Sequence, residues 1–203
     1  SGSRCAILTR GYKSKRNSKP GIQNRVDEPA MLAEDCPQAQ IIVNPDRVAG
    51  ASEAVGKFGT EVLIMDDGFQ HRRLARDLDV VAIDATRPFG YGKMLPAGLL
   101  REPVTSLKRA DAVVITRCDQ ISGTELDTLD SRVRSFNPAA VVSRSSHVPI
   151  CAKTTDGKET GIEQLKGKRV FAFCGIGNPD AFLKTVRSMG AVPVGSIRYD
   201  DHH

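Results

Sequence analysis

The stretch Leu63-Ile64-Met65-Asp66-Asp67-Gly68-Phe69-Gln70-His71 runs from continuous apolar residues straight into two acids and a glycine. A short apolar run of this kind reads as a buried strand, here Glu61–Met65, with Asp66 at its carboxyl end. Acids fixed at a strand tip form the Walker B arrangement, which holds Mg2+ directly or through water beside a nucleotide's phosphates. Adjacent carboxylates repel each other, and a bound cation relieves that repulsion. For Asp-Asp-Gly taken alone, a turn that merely closes a strand is the plainer alternative.

The same pattern recurs outward from this stretch. Cys5–Thr9, Gln40–Val43, Asp79–Asp84 and Ala112–Thr116 are further apolar runs of strand length. Helical patterns lie between them. Pro29–Glu34 opens with Asp27 as N-cap, and Arg47–Phe58 stops near Gly59. Ser122–Phe136 sets Leu126, Leu129, Val133 and Phe136 on one face. Strands alternating with helices predict an α/β fold, a mostly parallel sheet with helices on both faces. Ligands of such sheets bind beyond the strands' carboxyl ends, the edge that carries Thr9, Asp66, Asp84 and Thr116.

After Phe136 the pattern changes. Ala140–Ser143 and Val148–Lys153 are strand-like, and Thr154–Gly161 is a polar loop. Val170–Cys174, the turn Gly175-Ile176-Gly177-Asn178-Pro179, a helix over Asp180–Met189 and a strand over Ala191–Ile197 begin a second, smaller α/β domain. The predicted organisation is a core over residues 1–140, a strand linker over 141–166 and the start of the second domain over 167–203. That last piece is too small to bury a core of its own. With no Met at position 1 and an immediate entry into a strand, the expectation is a fragment cut at both ends.

The composition is that of a soluble chain: 203 residues, 40% hydrophobic and 26% charged. The charges are too evenly spread for a membrane-spanning helix of about 18–20 apolar residues. The first 30 residues are rich in charge and show no signal peptide. Five scattered cysteines without a C-x-x-C pair argue against a disulfide framework or zinc ribbon. The net charge of +5 is concentrated locally: residues 10–25 hold Arg10, Lys13, Lys15, Arg16, Lys19 and Arg25, with no acid. Such a loop suits phosphate, an anionic membrane surface or nucleic acid. Tyr12 is its lone aromatic, so it offers no stacking platform and nucleic acid is not the expected partner.

Three further groups can carry chemistry. Asp27-Glu28-Pro29 follows the basic loop, where an acid can either open a helix or accept a proton from an alcohol. Leu95-Pro96-Ala97-Gly98-Leu99-Leu100-Arg101-Glu102-Pro103 lies in a long irregular stretch, and loops of that length tend to be functional. Arg101 there can bind phosphate and Glu102 can assist a metal, or the two can form a surface ion pair. Asp200-Asp201-His202-His203 places histidines beside acids. Thr116-Arg117-Cys118-Asp119 is close to the T-K-x-D motif that selects guanine in some GTPases. No G-x-x-x-x-G-K-[ST] occurs, and the expectation is that a P-loop lies one strand and helix before Ser1.

Together these segments resemble the tetraacyldisaccharide 4'-kinases, the lipid A 4'-kinases of Gram-negative bacteria. The matching motifs are Ile7–Tyr12, Asp27-Glu28-Pro29, Asp46-Arg47, Asp66–His71, Leu95–Pro103, Gly175–Pro179 and Asp201-His202-His203, in that order along nearly the whole chain. The resemblance implies a P-loop NTPase-like fold with ATP and Mg2+ as cofactors. It also implies peripheral attachment to the cytoplasmic face of the inner membrane. The implied reaction moves the γ-phosphoryl of ATP to the 4'-hydroxyl of a lipid A disaccharide precursor. Asp27 becomes the general base and His202 its partner. Asp66, Asp67 and Glu102 become metal- and phosphate-positioning acids, with Asp67 and Glu102 on the metal. Arg47 and Arg101, with Arg10, Glu28, Gln70 and His71, become substrate or phosphate contacts, and Asn178-Pro179 sits near the nucleotide. Without a Walker A segment, the 203 residues alone should bind ATP weakly and catalyse little. The rival expectations are a GTPase-type metallochaperone, from Thr116–Asp119, and a basic nucleic-acid-binding domain, from residues 10–25.

Overall fold

The structure, a computed structural model, describes residues 2–11 and 27–199, without the Asp27 side chain. The chain forms two compact units, Ser1–Asp77 and Leu78–His203. Among the described residues no helix is long and apolar enough to cross a membrane.

In the first unit, β1 (Cys5–Thr9), β2 (Ala39–Val43) and β3 (Val62–Met65) form a parallel ladder in the order β2-β1-β3. Ile7 lies opposite Ile41 on one side and Ile64 on the other. β1 is central, which explains its unbroken apolar run: Ala6, Ile7, Leu8 and even Thr9 are buried. Helix α1 (Asp27–Asp35) precedes β2, with Asp27 as its first residue rather than its cap. Helix α2 (Arg47–Phe58) is built from small residues because it lies close on the sheet. A Cβ at Gly50 would come within 2.5 Å of Leu8 Cδ1. Ala51 and Ala54 join Ala6, Leu8 and Ile42 in the core, with Leu63 and Leu74 packed against it. Both helix ends are encoded locally. Asp46 accepts the Val48 and Ala49 N–H groups at 3.0 and 3.2 Å, and Gly59 takes the left-handed conformation at φ 58°.

In the second unit, β4 (Val80–Asp84), β5 (Ala112–Thr116) and β6 (Val141–Arg144) form another parallel ladder in the order β4-β5-β6. Helix α3 (Gly123–Phe136) joins β5 to β6 and buries Leu126, Leu129 and Val133. Ser122 and Glu125 close a reciprocal capping box at its start. At its end Asn137 is buried and uses its whole amide. Nδ2 donates to the Leu107 and Ala110 carbonyls at 2.8 Å each, and Oδ1 accepts from Ala139 and Ala140. Further on, β9 (Arg169–Cys174) and β10 (Val192–Arg198) pair in parallel around α4 (Pro179–Ser188).

The expected strand over Val148–Lys153 shrinks to its last two residues. These are β7 (Ala152–Lys153), paired antiparallel with β8 (Glu159–Thr160), inside the stretch read as a polar loop. Pro149 has no N–H for a ladder, and Val148 and Ile150 stand in solvent. The α/β class with mainly parallel pairing is as the sequence predicts, distributed over three parallel ladders.

Candidate functional site

In the first unit the functional edge lies beyond the carboxyl ends of β1, β2 and β3. The ladder continues one step past β3: the Asp66 N–H donates to the Leu8 carbonyl at 3.1 Å, so the sheet fixes Asp66 in place. Asp67 then turns the chain in the left-handed region at φ 47°. Gly68 folds back over Met65, and a Cβ there would meet Met65 Cγ at 2.5 Å. The turn closes where the His71 N–H donates to the Gly68 carbonyl at 2.9 Å, and Arg76 donates to the His71 carbonyl. Asp67 and Gln70 are exposed, while Asp66 and His71 are half-buried. The buried Nε2 of His71 has no hydrogen-bond partner among the described residues.

Arg47 sits beneath this turn. It opens α2, is only 5% exposed, and donates through Nη2 to the Asp66 carbonyl at 3.1 Å. Its Nη1 is buried without a partner among the described residues. Burial pulls the guanidinium below its ordinary pKa, the Asp66 and Asp67 charges pull it back up, and Arg10 lowers it further. An arginine stays protonated under such a load. The arrangement is a buried cation with a free donor, set between a strand-tip acid pair and a second arginine. A buried guanidinium in such a place suits an anion. Nearby, Asp46 is held below the ordinary carboxylate range by the Ala49 and Val48 N–H groups, with Arg73 and His71 adding to the effect.

In the second unit Asp84, at the tip of β4, collects donors from three segments. It accepts from Thr86 N and Oγ1 at 2.9 and 2.8 Å, from Asn178 Nδ2 at 2.9 Å and from Arg117 Nη1 at 2.6 Å. Burial alone would raise its pKa, but the Asn178 and Thr86 hydrogen bonds and the Arg117 charge prevail and hold it below the usual value. Asn178 is buried and its side chain is fully committed. Nδ2 also donates to Thr86 Oγ1 at 2.8 Å, and Oδ1 caps α4 by accepting the Ala181 N–H at 3.1 Å. Pro179 is the first residue of α4. Asn178 lines a cleft of about 400 Å3 whose charged residues are Arg87, Lys184, Arg187 and Asp180, with Asp180 paired to Arg87 at 3.4 Å. Glu102 accepts twice from Arg109 Nη2, at 3.1 and 2.9 Å, so it stands in an ion pair. Arg101 is exposed.

Of the residues singled out by sequence, the structure brings Arg10, Arg47, Asp66 and Asp67 into one electrostatic neighbourhood. Glu28 is exposed on α1. His202 and the Asp27 side chain lie outside the described residues, as does the basic loop from residue 12 onward. Among the described residues no three His, Cys, Asp or Glu converge as a ready-made metal cage. Sequence reasoning placed Asp84 on the edge but missed its role as the hub for Arg117 and Asn178. Thr116–Asp119 had carried the guanine-motif likeness, yet the Arg117 guanidinium in it is engaged by Asp84.

Comparison with known proteins follows the same lines. The LpxK family model, tetraacyldisaccharide-1-P 4'-kinase, matches residues 1–203. A tetraacyldisaccharide 4'-kinase from Anaeromyxobacter sp. (strain Fw109-5) is 39% identical over 100% of this chain and 57% of its own length. The one from Syntrophus aciditrophicus (strain SB) is 38% identical, over 100% and 59%. The crystal structure of LpxK from Aquifex aeolicus in complex with ATP superposes with a TM-score of 0.64 at 28% identity. That match covers 98% of this chain and 62% of the other. The chain thus spans somewhat under two thirds of the proteins it matches. From motifs, edge geometry and these matches together, the chain belongs to the tetraacyldisaccharide 4'-kinase family.

Proposed function

We propose that the protein carrying this chain transfers the γ-phosphoryl group of ATP to the 4'-hydroxyl of a tetraacyldisaccharide 1-phosphate. The observation that carries this reading is Arg47, a buried guanidinium with a free Nη1 under the Asp66–Asp67 turn. Phosphoryl transfer needs positioned charge more than covalent chemistry, and a desolvated arginine beside strand-tip acids supplies it. In the transfer, the sugar 4'-oxygen bonds to the γ-phosphorus as the bond from that phosphorus to the β,γ-bridging oxygen breaks, and ADP leaves. The hydroxyl proton passes to the Asp27 carboxylate, with His202 orienting it.

The acids present fit a bound Mg2+. This ion keeps several waters and takes one or two carboxylates plus phosphate oxygens, so the absence of a protein cage is no obstacle. Asp67, with Asp66 in support, would hold it on the edge of the first unit, where it would neutralise charge on the phosphates. Glu102 is the further candidate ligand, its charge shared with Arg109. Arg101 and Arg10, with Glu28, Gln70 and His71, contact the substrate or the transferring phosphate. The Asn178–Pro179 turn serves the nucleotide through its backbone and through Lys184 and Arg187 of the cleft beside it, since the Asn178 amide is already engaged. The product is the 4'-phosphorylated lipid, lipid IVA. The place of work is the cytoplasmic face of the inner membrane, with peripheral attachment aided by the basic loop.

The test is transfer of labelled γ-phosphate from ATP to the disaccharide 1-phosphate by the full-length protein. Asp27→Ala should lower kcat by about 10²–10⁴-fold, the range for loss of a general base. Failure of the unaltered protein to phosphorylate the lipid, or GTP outcompeting ATP, would overturn the reading.

A further inference from the structure

Ala85–Arg101, in the second unit, folds into a finger with a firmly built base and an apolar tip. Phe89 anchors the base. It is 8% exposed, meets Phe136 edge-on with ring centroids 6.1 Å apart, and carries the Arg132 guanidinium 4.7 Å above its ring. Phe89, Gly90, Tyr91 and Gly92 all have positive φ, from 46° to 69°, making one left-handed turn. The return limb is pinned to the outgoing one. Leu99 N–H donates to Gly90 O at 3.1 Å, Leu95 N–H to Leu100 O at 2.8 Å, and Leu100 N–H to Lys93 O at 3.1 Å. A Cβ at Gly98 would lie 2.2 Å from Lys93 O, so only glycine allows the limbs to close.

Beyond Phe89, four of the loop's large apolar side chains are exposed. Tyr91 is 75% exposed, Leu95 59%, Leu99 56% and Met94 47%. Isolated exposed apolar residues are ordinary, but several on one braced tip mark a contact surface. The chemistry of the flank selects the partner. Between Ala85 and Arg101 stand Arg87, Lys93 and Arg101, with no acid. Arg87 is paired with Asp180 at 3.4 Å, which leaves Lys93 and Arg101 as the bases that flank the tip. Apolar side chains beside a tyrosine, flanked by such bases, match the acyl boundary and headgroup layer of an anionic bilayer.

We propose that the Tyr91–Leu99 finger inserts into the interfacial layer of an anionic phospholipid bilayer, with Lys93 at the headgroups. The choice of a membrane as partner rests on the lipid-kinase reading, and the finger would bring the protein to the surface that holds its substrate. The test uses full-length protein and vesicles containing phosphatidylglycerol. These 203 residues contain no tryptophan, so the difference spectrum between Tyr91→Trp and its parent reports this position, and Leu99→Trp repeats the measurement at a second one. Vesicles should shift both emissions to the blue, and lipids brominated on the acyl chain should quench them. The double variant Tyr91→Ser/Leu99→Ser should weaken vesicle binding about tenfold or more. Lys93→Glu should weaken it by a similar factor.

Emission at the aqueous position and unquenched on vesicles, at both positions, would overturn the proposal. So would a blue shift produced by a soluble protein extract but not by lipid. Kinase activity on detergent-dispersed substrate, assayed on the same samples, separates this proposal from the one it rests on. Activity with unshifted emission removes the finger alone. Quenched emission without lipid phosphorylation removes the kinase reading and leaves the finger.

Discussion

Arg47 reaches from the first turn of α2 to the carbonyl of Asp66 at 3.1 Å, and the same guanidinium leaves Nη1 buried and, among the described residues, unpaired. A buried cation of this kind is poorly stabilised in the absence of an anion and well placed in its presence. Arg47→Lys keeps the charge but loses the planar fork. It should lower kcat/KM for ATP by tenfold or more while shifting Tm by only a few degrees. Arg47→Ala should cost about 2–3 kcal/mol of stability as well, through the lost charge-assisted hydrogen bond and the lost packing against the turn. Steady-state kinetics with thermal melts of both variants checks this. A lysine variant with unchanged kinetics would remove Arg47 from the phosphate site.

The Asp84 hub predicts a pH dependence with a definite sign. Its carboxyl is held below the ordinary value in the folded chain. The unfolded chain therefore binds more protons at acid pH, and stability falls as pH drops. The contribution is fully present above pH about 4, the unfolded range for an aspartate, and is lost as pH falls through the lower, folded pKa. Asp84→Asn should cost about 2 kcal/mol near neutrality, because Arg117 and Asn178 lose their charged acceptor. It should also flatten the acid limb of a plot of urea midpoint against pH. If wild type and variant lose stability in parallel below pH 4, Asp84 does not carry the effect.

The parts of the fold that were legible in the sequence are those specified by neighbours along the chain. α2 was readable from end to end because Asp46, the small residues facing Leu8, and Gly59 all act within a few residues of one another. β1 and β5 were readable because central parallel strands bury both faces and so appear as unbroken apolar runs. The Asp84 hub was not readable. Arg117 and Asn178 stand 33 and 94 positions from Asp84, and no local signal announces that the strand tip will be filled by protein donors. Val148–Lys153 misled for the complementary reason. An apolar run resembles a strand whether or not a partner exists to pair with it, and Pro149 removes a donor from this one. The acid pair at Asp66–Asp67 was found at once, but Arg47 beneath it stands 19 positions away. Its importance rests on burial, which a motif does not display.

Asn178 performs two tasks that substitution can separate. Its Oδ1 caps α4, and its Nδ2 ties α4 to Asp84 and Thr86. Asn178→Ser retains a cap and loses the tether, costing about 1 kcal/mol. Asn178→Asp retains a cap but sets a second carboxylate against Asp84, so near neutrality it should be the more destabilising of the two. Acidification should narrow the gap, because protonating one acid of the pair removes the repulsion and restores a donor. Urea denaturation of both variants at neutral and acid pH provides the comparison. Equal stabilities at neutral pH would show that the Asp84 contact is dispensable.

Glu102 poses the sharpest question, because an ion pair with Arg109 already explains its position. A carboxylate that only balances Arg109 should matter as much as its partner does: removing either side would lower stability modestly and leave the metal requirement alone. A carboxylate that also helps hold Mg2+ breaks that symmetry. Glu102→Gln should then raise the Mg2+ concentration giving half-maximal activity by roughly tenfold, the scale of one lost tenth-power step of about 1.4 kcal/mol. Arg109→Gln frees Glu102 from its cation and should lower that concentration or leave it unchanged. Opposite or unequal shifts in the two Mg2+ titrations, with similar melting temperatures, would assign Glu102 to the metal. Identical titrations would leave it as the ion-pair partner of Arg109 alone.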